Sequence, residues 1–171
     1  MAAQTIKTER LTLRSIKKSD AKNLTYLLKP EIENFSGPIM PHNKKQLSGH
    51  IDRIKGDTAW GITLDDGTFI GDIGVFSVVE NKIGEMAWYI DPMYWRQGYA
   101  FEAGKAVIKY CFEELGFIRI SAQISTENKI SRHLAEKLGF ELHAILPQGN
   151  LGGKIADIAY YSITAKDTGI Y

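Results

Sequence analysis

The sequence predicts an α+β fold: a single domain over residues 1–171, with a central mixed, mostly antiparallel sheet of about six or seven strands flanked by about four helices. Three observations carry this expectation. The length of 171 residues, with 44% apolar and 24% charged side chains, suits one packed globular domain, and no repeat, low-complexity run or linker-like stretch divides it. The first half alternates at strand period between turn signals. The second half opens on a helical stripe and then returns to strands, giving a β-meander followed by β-α-β-α-β-β.

Residues 5–16 alternate around Leu11 and Leu13, with Thr12 and Arg14 between them, and read as a strand. Ser19-Asp20 offers an N-cap for a helix carrying Leu24, Leu27 and Leu28, which Pro30 is expected to stop. Ser36-Gly37-Pro38 and Pro41 mark a loop, and a polar helix is expected over 43–55. Strands over 58–64 and 68–79 flank the hairpin turn Asp65-Asp66-Gly67, and Gly71 and Gly74 suggest a bend or bulge in the second. Asn81-Lys82 makes another turn before a strand over 83–90, ended by Asp91-Pro92.

The period then changes. Ala100, Ala103, Gly104, Val107, Ile108, Cys111, Phe112 and Leu115 form one apolar stripe at helical spacing, and Gly116 ends it. A strand over 117–125 follows. Ile130, Leu134 and Leu138 line a short helix closed by Gly139, and strands over 140–146 and 154–164 finish the chain around a Gly-rich loop.

Composition excludes several functions. A net charge of +1 gives no electrostatic case for nucleic acid or an anionic membrane as the main partner. No apolar run approaches the roughly 20 residues of a membrane span, and the N-terminus has no apolar signal core. Cys111 is the one cysteine, so no internal disulfide can form, which fits a reducing, cytoplasmic setting. His42, His50, His133 and His143 show no metal-binding spacing, and no metal is expected.

The most informative segment is Asp91-Pro92-Met93-Tyr94-Trp95-Arg96-Gln97-Gly98-Tyr99-Ala100. A strand ends, a tight loop with a central glycine follows, and a long helix begins. The start of a helix has free N–H groups and about half a positive charge, so such a junction can receive a pyrophosphate. A single glycine of this kind also serves many ordinary turns. The chain has neither a Walker A loop nor a G-x-G-x-x-G fingerprint.

The segment resembles the acetyl-CoA-binding loop of the GNAT superfamily, [R/Q]-x-x-G-x-[G/A]. Gly98 and Ala100 match, and Trp95 stands at the first position, as in the W-G-K-G-Y-A form of the RimJ/RimL-like branch. Asn128-Lys129-Ile130-Ser131 with Glu136-Lys137-Leu138-Gly139-Phe140 resembles that branch's N-x-x-S…E-K-x-G-F segment. Glu85-Met86-Ala87-Trp88-Tyr89-Ile90 resembles its E-x-G-Y-x-L strand, with Ala87 for the usual glycine, and Thr8-Glu9-Arg10-Leu11-Thr12-Leu13-Arg14 its T-x-R-L-x-L-R opening. The matches are collinear over nearly the whole chain.

The resemblance implies an acetyl-CoA-dependent N-acetyltransferase in which a primary amine attacks directly within a ternary complex, with no acyl-enzyme. It places the cosubstrate on Arg96, Gln97, Gly98, Tyr99, Ala100 and Phe101, with Tyr89 and Ile90 of the preceding strand and Asn128. It implies that the acyl carbonyl faces a backbone N–H of the strand ending in Ile90, with a splay or bulge after Ile90 freeing donors for the pantetheine arm. Glu85 is the candidate base: it shares a strand face with Ala87 and Tyr89, and burial among apolar neighbours would raise its pKa. Its alternative is a solvated carboxylate at a strand start. The tyrosine that many of these enzymes use as acid is Ala135 here, and Ser131 is the substitute in the resembled branch, although a helix-surface or capping serine fits the same position. Asn128 reads as an N-cap as well as a cofactor ligand, and the two roles can coexist. Cys111, on the apolar stripe, reads as a buried core thiol.

Two acceptors fit the resemblance: a protein N-terminal α-amino group, of ribosomal-protein type, and a small amine. The acceptor pocket is expected from the first helical region, the loop over 35–43 and the loop over 148–154. The expected partners are thus acetyl-CoA and an amine, with no nucleic acid and no membrane, and a homodimer stays open. A non-catalytic acyl-CoA sensor or interaction module on the same scaffold is the competing reading.

Overall fold

The computed structural model describes residues 2–35, 40–80 and 82–168. They form one eight-stranded sheet: β1 (Ile6–Lys7), β2 (Leu11–Ser15), β3 (Ala59–Leu64), β4 (Phe69–Val79), β5 (Ile83–Ile90), β6 (Arg119–Ser125), β7 (Glu141–Leu151) and β8 (Lys154–Thr164). The spatial order is β1-β2-β3-β4-β5-β6-β8-β7. The helices are α1 (Pro30–Glu33), α2 (Lys44–Ile54), α3 (Tyr99–Glu113) and α4 (Lys129–Lys137), with 3-10 segments at Lys18–Leu28 and Pro92–Tyr94. Each neighbouring strand pair is antiparallel except β5–β6, which is parallel. Parallel neighbours need a crossover, and α3 supplies it.

Alternation along the strands sends side chains to two packed layers. Met86, Trp88 and Ile90 of β5 pack with Val107, Ile108, Cys111 and Phe112 of α3. Tyr89 faces the other way, into a cluster of Leu24, Tyr26 and Leu27 with Ile32 of α1 and Leu47, Ile51 and Ile54 of α2. Fully burying an aliphatic or aromatic side chain of this size contributes about 1.5–3 kcal/mol. Trp60, Leu24 and Ile51, at 0% exposure, hold the two layers to the sheet.

The α+β reading and the single mixed sheet hold, and several local expectations are corrected. The strand expected over 5–16 is two strands, because Thr8 Oγ1 accepts from the Leu11 amide at 3.1 Å and turns the chain between them. Asp20 is not an N-cap: it sits inside the first turn, accepts from the Lys17 amide at 2.8 Å and pairs in fork fashion with Arg14 at 2.8 Å. Pro30 stops the first helical segment as expected, which ends at Leu28 with Lys29 extended before the proline, and it also opens α1, where its fixed φ and missing N–H cost nothing. The bend or bulge expected at Gly71 is present: Ile62 pairs with Gly71 and Thr63 with Phe69, so the register shifts there, and a Cβ on Gly71 would also lie 2.3 Å from the Tyr89 carbonyl oxygen. Gly74 marks a close approach, and a second register shift on β4 falls between Phe76 and Val79. β7 runs on to Leu151, so the Gly-rich loop tightens to a turn at Gly152-Gly153. The turn residues 36–38 and Asn81 lie outside the described residues.

One polar contact is sealed between the sheet and the first helical layer. Tyr26 Oη donates to Asp72 Oδ1, and both residues are buried. Burial pushes the Asp72 carboxyl up to about 7, while the Tyr26 bond pulls it the other way. Unfolded, the same group titrates near ~3.9. The folded state therefore binds the extra proton between those values, so the stability Asp72 contributes is full below about pH 4 and is lost as pH rises towards 7. The stability difference between the native chain and Asp72→Asn, read from urea unfolding, should decline across this window with a slope approaching about 1.4 kcal/mol per pH unit. A difference independent of pH would show that Asp72 is ionised in the fold.

Candidate functional site

β5 and β6 pair at Ile83–Arg119, Gly84–Ile120 and Glu85–Ser121, and no further. Beyond that point β5 stays with β4 as far as Ile90–Gly71, and β6 stays with β8 as far as Ser125–Ile158. Each strand follows its own outer neighbour, so the sheet forks after Glu85. The splay was expected after Ile90; it begins at Glu85 and leaves the inner edge of β5 from Met86 to Ile90 without a strand partner. A cavity of about 560 Å³ fills the fork and opens towards both layers.

Glu85 sits at the vertex. It is half-buried, and its Oε2 accepts from Gln123 Nε2 of β6 at 2.8 Å, a bond made across the first open rung. Burial raises its pKa and the Gln123 bond partly offsets the rise. A carboxylate so placed has the chemistry to take up a proton nearer neutrality than an exposed one.

The cofactor-type loop lies at the carboxyl end of β5. Trp95 Nε1 donates to the Ile90 carbonyl at 2.7 Å and packs against both apolar layers, so the residue that departs from the usual motif pins the loop to the strand. Arg96 (φ 60°) and Gly98 (φ 83°) are left-handed, and Gly98 is the N-cap of α3 with no side chain capping the helix. Only glycine takes such a conformation without strain, and the first N–H groups of α3 are left facing outward. A Cβ on Gly98 would also lie 3.3 Å from Arg10 Nη2.

That arginine belongs to a brace that the sequence did not disclose. Glu102 accepts from Thr8 Oγ1 at 2.6 Å, from the Arg10 amide at 2.8 Å and from Arg10 Nε at 2.7 Å. Arg10 Nη1 donates to the Gln97 carbonyl at 2.9 Å, and the guanidinium lies 4.6 Å from the Tyr99 ring centroid. The T-x-R-L opening is thus a support for the loop.

On the α3–α4 side, Asn128 Oδ1 caps α4 by accepting from the Ser131 amide at 3.1 Å. Ser131 is half-buried on the cavity wall, whereas Ala135 is fully buried against the core. Cys111 is buried in the core, and burial pushes its thiol up to about 12, which removes it as a nucleophile.

Of the residues singled out from sequence, Glu85, Tyr89, Ile90, Arg96, Gly98, Tyr99, Ala100, Phe101, Asn128 and Ser131 all line the cavity. Gln97 stands off the wall, its carbonyl turned to Arg10. Phe101 and Lys137 meet at 4.7 Å, with Lys137 and His133 on the wall beside them. Of the expected acceptor segments, the loops over 35–43 and 148–154 supply Phe35, Met40, Leu151 and Gly152, whereas the first helical segment Lys18–Leu28 lies off the wall and Glu31 and Ile32 of α1 stand there instead. Gln123, whose only sequence signal was its place in a strand, was missed. Among the described residues no group of three or more His, Cys, Asp or Glu is placed to hold a metal ion, and no helix is long and apolar enough to cross a membrane.

The fork, the uncapped helix start and the flanking cations suit a long anionic thioester such as acetyl-CoA. Comparison with known proteins bears on this. The family model for the acetyltransferase (GNAT) domain matches residues 10–141. The uncharacterized N-acetyltransferase YoaA of Bacillus subtilis (strain 168) is 29% identical over 175 aligned residues, covering 97% of this chain and 94% of that protein. A GNAT-family acetyltransferase structure from Bacillus anthracis superposes with a TM-score of 0.86 at 24% identity, over 95% of this chain and 99% of that one. The ribosomal L7/L12 α-N-protein acetyltransferase RimL, solved with coenzyme A, superposes with a TM-score of 0.81 at 16% identity, over 94% and 98%. These two superpositions carry the fold. The family match, over a span that includes Arg10 and Glu102 of the brace, β5 and β6 of the fork and the loop before α3, assigns the chain to the GNAT family of acetyl-CoA-dependent N-acetyltransferases.

Proposed function

We propose that this chain moves the acetyl group of acetyl-CoA to a primary amine by direct attack, with Glu85 as base and Ser131 as hydrogen-bond donor to the leaving sulfur. The observation that carries the reading is Glu85 itself: a half-buried carboxylate at the vertex of a forked sheet, in a cavity that also reaches the uncapped start of α3.

Acetyl-CoA supplies the activated acyl group as a thioester. The protein's part is to bind, orient and move protons. The N–H groups at the start of α3, with Arg96 and Lys137 nearby, suit the phosphates. The unpaired edge of β5 offers backbone donors and acceptors to the pantetheine arm, and Asn128 closes the other side while capping α4. Preorganised backbone N–H groups along this edge would stabilise charge developing on the acyl oxygen.

An alkylammonium cannot attack until it loses a proton. Glu85 accepts that proton, directly or through one water, and its raised pKa keeps it a useful base near neutrality. The nitrogen lone pair then forms the new C–N bond as the C–S bond breaks; the nitrogen gives up its second proton, a proton is delivered to the departing thiolate, and the Ser131 hydroxyl donates a hydrogen bond to that sulfur. The inert Cys111 supports transfer without an acyl-enzyme.

Three outcomes test this reading. Gly98→Val puts a branched side chain on a left-handed residue where backbone meets phosphate, so calorimetry should show coenzyme A binding at least about tenfold weaker. Unchanged affinity in a folded variant would remove the loop from the site. Ser131→Ala should lower turnover by about tenfold, the loss of one hydrogen bond made mainly in the transition state. Its effect on coenzyme A affinity should be smaller, and a wild-type rate would leave Ser131 a structural residue. Glu85→Gln keeps shape and removes the base, so turnover should fall by about 10²–10⁴-fold with coenzyme A affinity retained. Raising the pH should restore part of the rate, because solvent then deprotonates the amine. A wild-type rate and pH profile would send the search for the base elsewhere.

A further inference from the structure

The described cavity wall is divided by charge. Arg96 and Lys137 lie on the α3–α4 side, and the carboxylates Glu31 and Glu85 lie on the α1 side and at the fork. Cations at one end suit the phosphates of the cosubstrate. Carboxylates at the other suit an acceptor that arrives positively charged.

Between those carboxylates the wall is apolar. Ile32, Met40 and Tyr89 pack in one cluster, and Phe35 and Leu151 extend it. Glu31 lies in the first turn of α1, exposed, and makes no ion pair or hydrogen bond among the described residues. Glu33, two positions on, faces His42 Nδ1 at 3.3 Å. Lys154 Nζ donates to the Asn34 carbonyl at 2.9 Å, tying the tip of the β7–β8 hairpin to the end of α1 beside Leu151 and Gly152.

We propose that the acceptor is a small cation with an apolar spine: its reacting amine lies at Glu85, an uncharged hydrocarbon segment runs along the apolar wall, and a second ammonium is received by Glu31. This rests on the acetyltransferase reading above and names its substrate class. A polyamine with an ammonium inside its chain would have to desolvate that charge against Ile32, Met40 and Leu151. A peptide would lay amide groups along the same wall, where they find few partners, beneath the Lys154–Asn34 tie. A monoamine of equal length would leave Glu31 unused.

The test is a matched series: hexyl, octyl and decyl amines against their α,ω-diamines, with spermidine and an N-terminally free peptide as further arms, read by coenzyme A thiol release. At the best-fitting length the diamine should exceed its monoamine in kcat/KM by about tenfold, and the advantage should shrink as salt is added. Glu31→Gln should bring that ratio close to one, and Glu31→Lys should invert it. An equal or better monoamine in the native chain, or a ratio that survives Glu31→Gln, would overturn the assignment of Glu31. Spermidine or the peptide outperforming every diamine would overturn the apolar spine. Absence of turnover on all arms, with coenzyme A still bound, would overturn the acetyltransferase reading and this proposal with it.

Discussion

Between β5 and β6 the sheet is held over the pairs from Ile83–Arg119 to Glu85–Ser121, and then it opens. This short parallel seam sets the rest of the molecule. Because its two strands run the same way, the chain must leave β5, cross a face and re-enter at β6, and α3 is that crossing. The start of α3 therefore lies at the carboxyl end of β5, beside the opening. The uncapped N–H groups and the fork are two products of one connection. Ligands of open α/β sheets collect at strand carboxyl ends for the same geometric reason.

An opened sheet exposes backbone groups that would be costly if sealed away from any partner. Here they border a cavity of about 560 Å³ that water or a ligand can enter. The side chains around it manage charge by position. Trp95 occupies the Ile90 carbonyl at the far end of the edge, and Gln123 holds Glu85 at the near end. Burial raises the Glu85 pKa at the vertex where β5 and β6 part.

Much of this was legible in the sequence because it rests on local rules. The hairpin at Gly67, the stripe on α3 and the helix ends at Gly116 and Gly139 follow from period and turn chemistry, and the glycines there take positive φ. The loop from Trp95 to Ala100 was legible only through family likeness, since one glycine before a helix is not specific. Other features depend on residues far apart in the chain. Pro30 stops one helical segment as its chemistry dictates, but nothing around it says that it also begins another. Asp20 has the chemistry of a cap, but its two-pronged partner Arg14 decides where it sits. The fork depends on which outer strand each inner strand follows, and the Gln123–Glu85 bond joins residues 38 apart. Single-residue patterns do not encode such pairings.

The brace of Thr8, Arg10 and Glu102 bears on how the molecule is assembled in time. Its bonds join residues 87 to 94 positions apart. Residues 8–10 thus need the middle of the chain in place before the loop at Gln97 has its support. Closing so long a loop costs entropy before any contact returns it. The left-handed pair Arg96 and Gly98 therefore has its support only where the meander holds β2 in the sheet. The shape of the loop before α3 is in that sense a property of the N-terminal segment as well as of the cavity, because Thr8 and Arg10 lie off the wall and yet hold residues that form it.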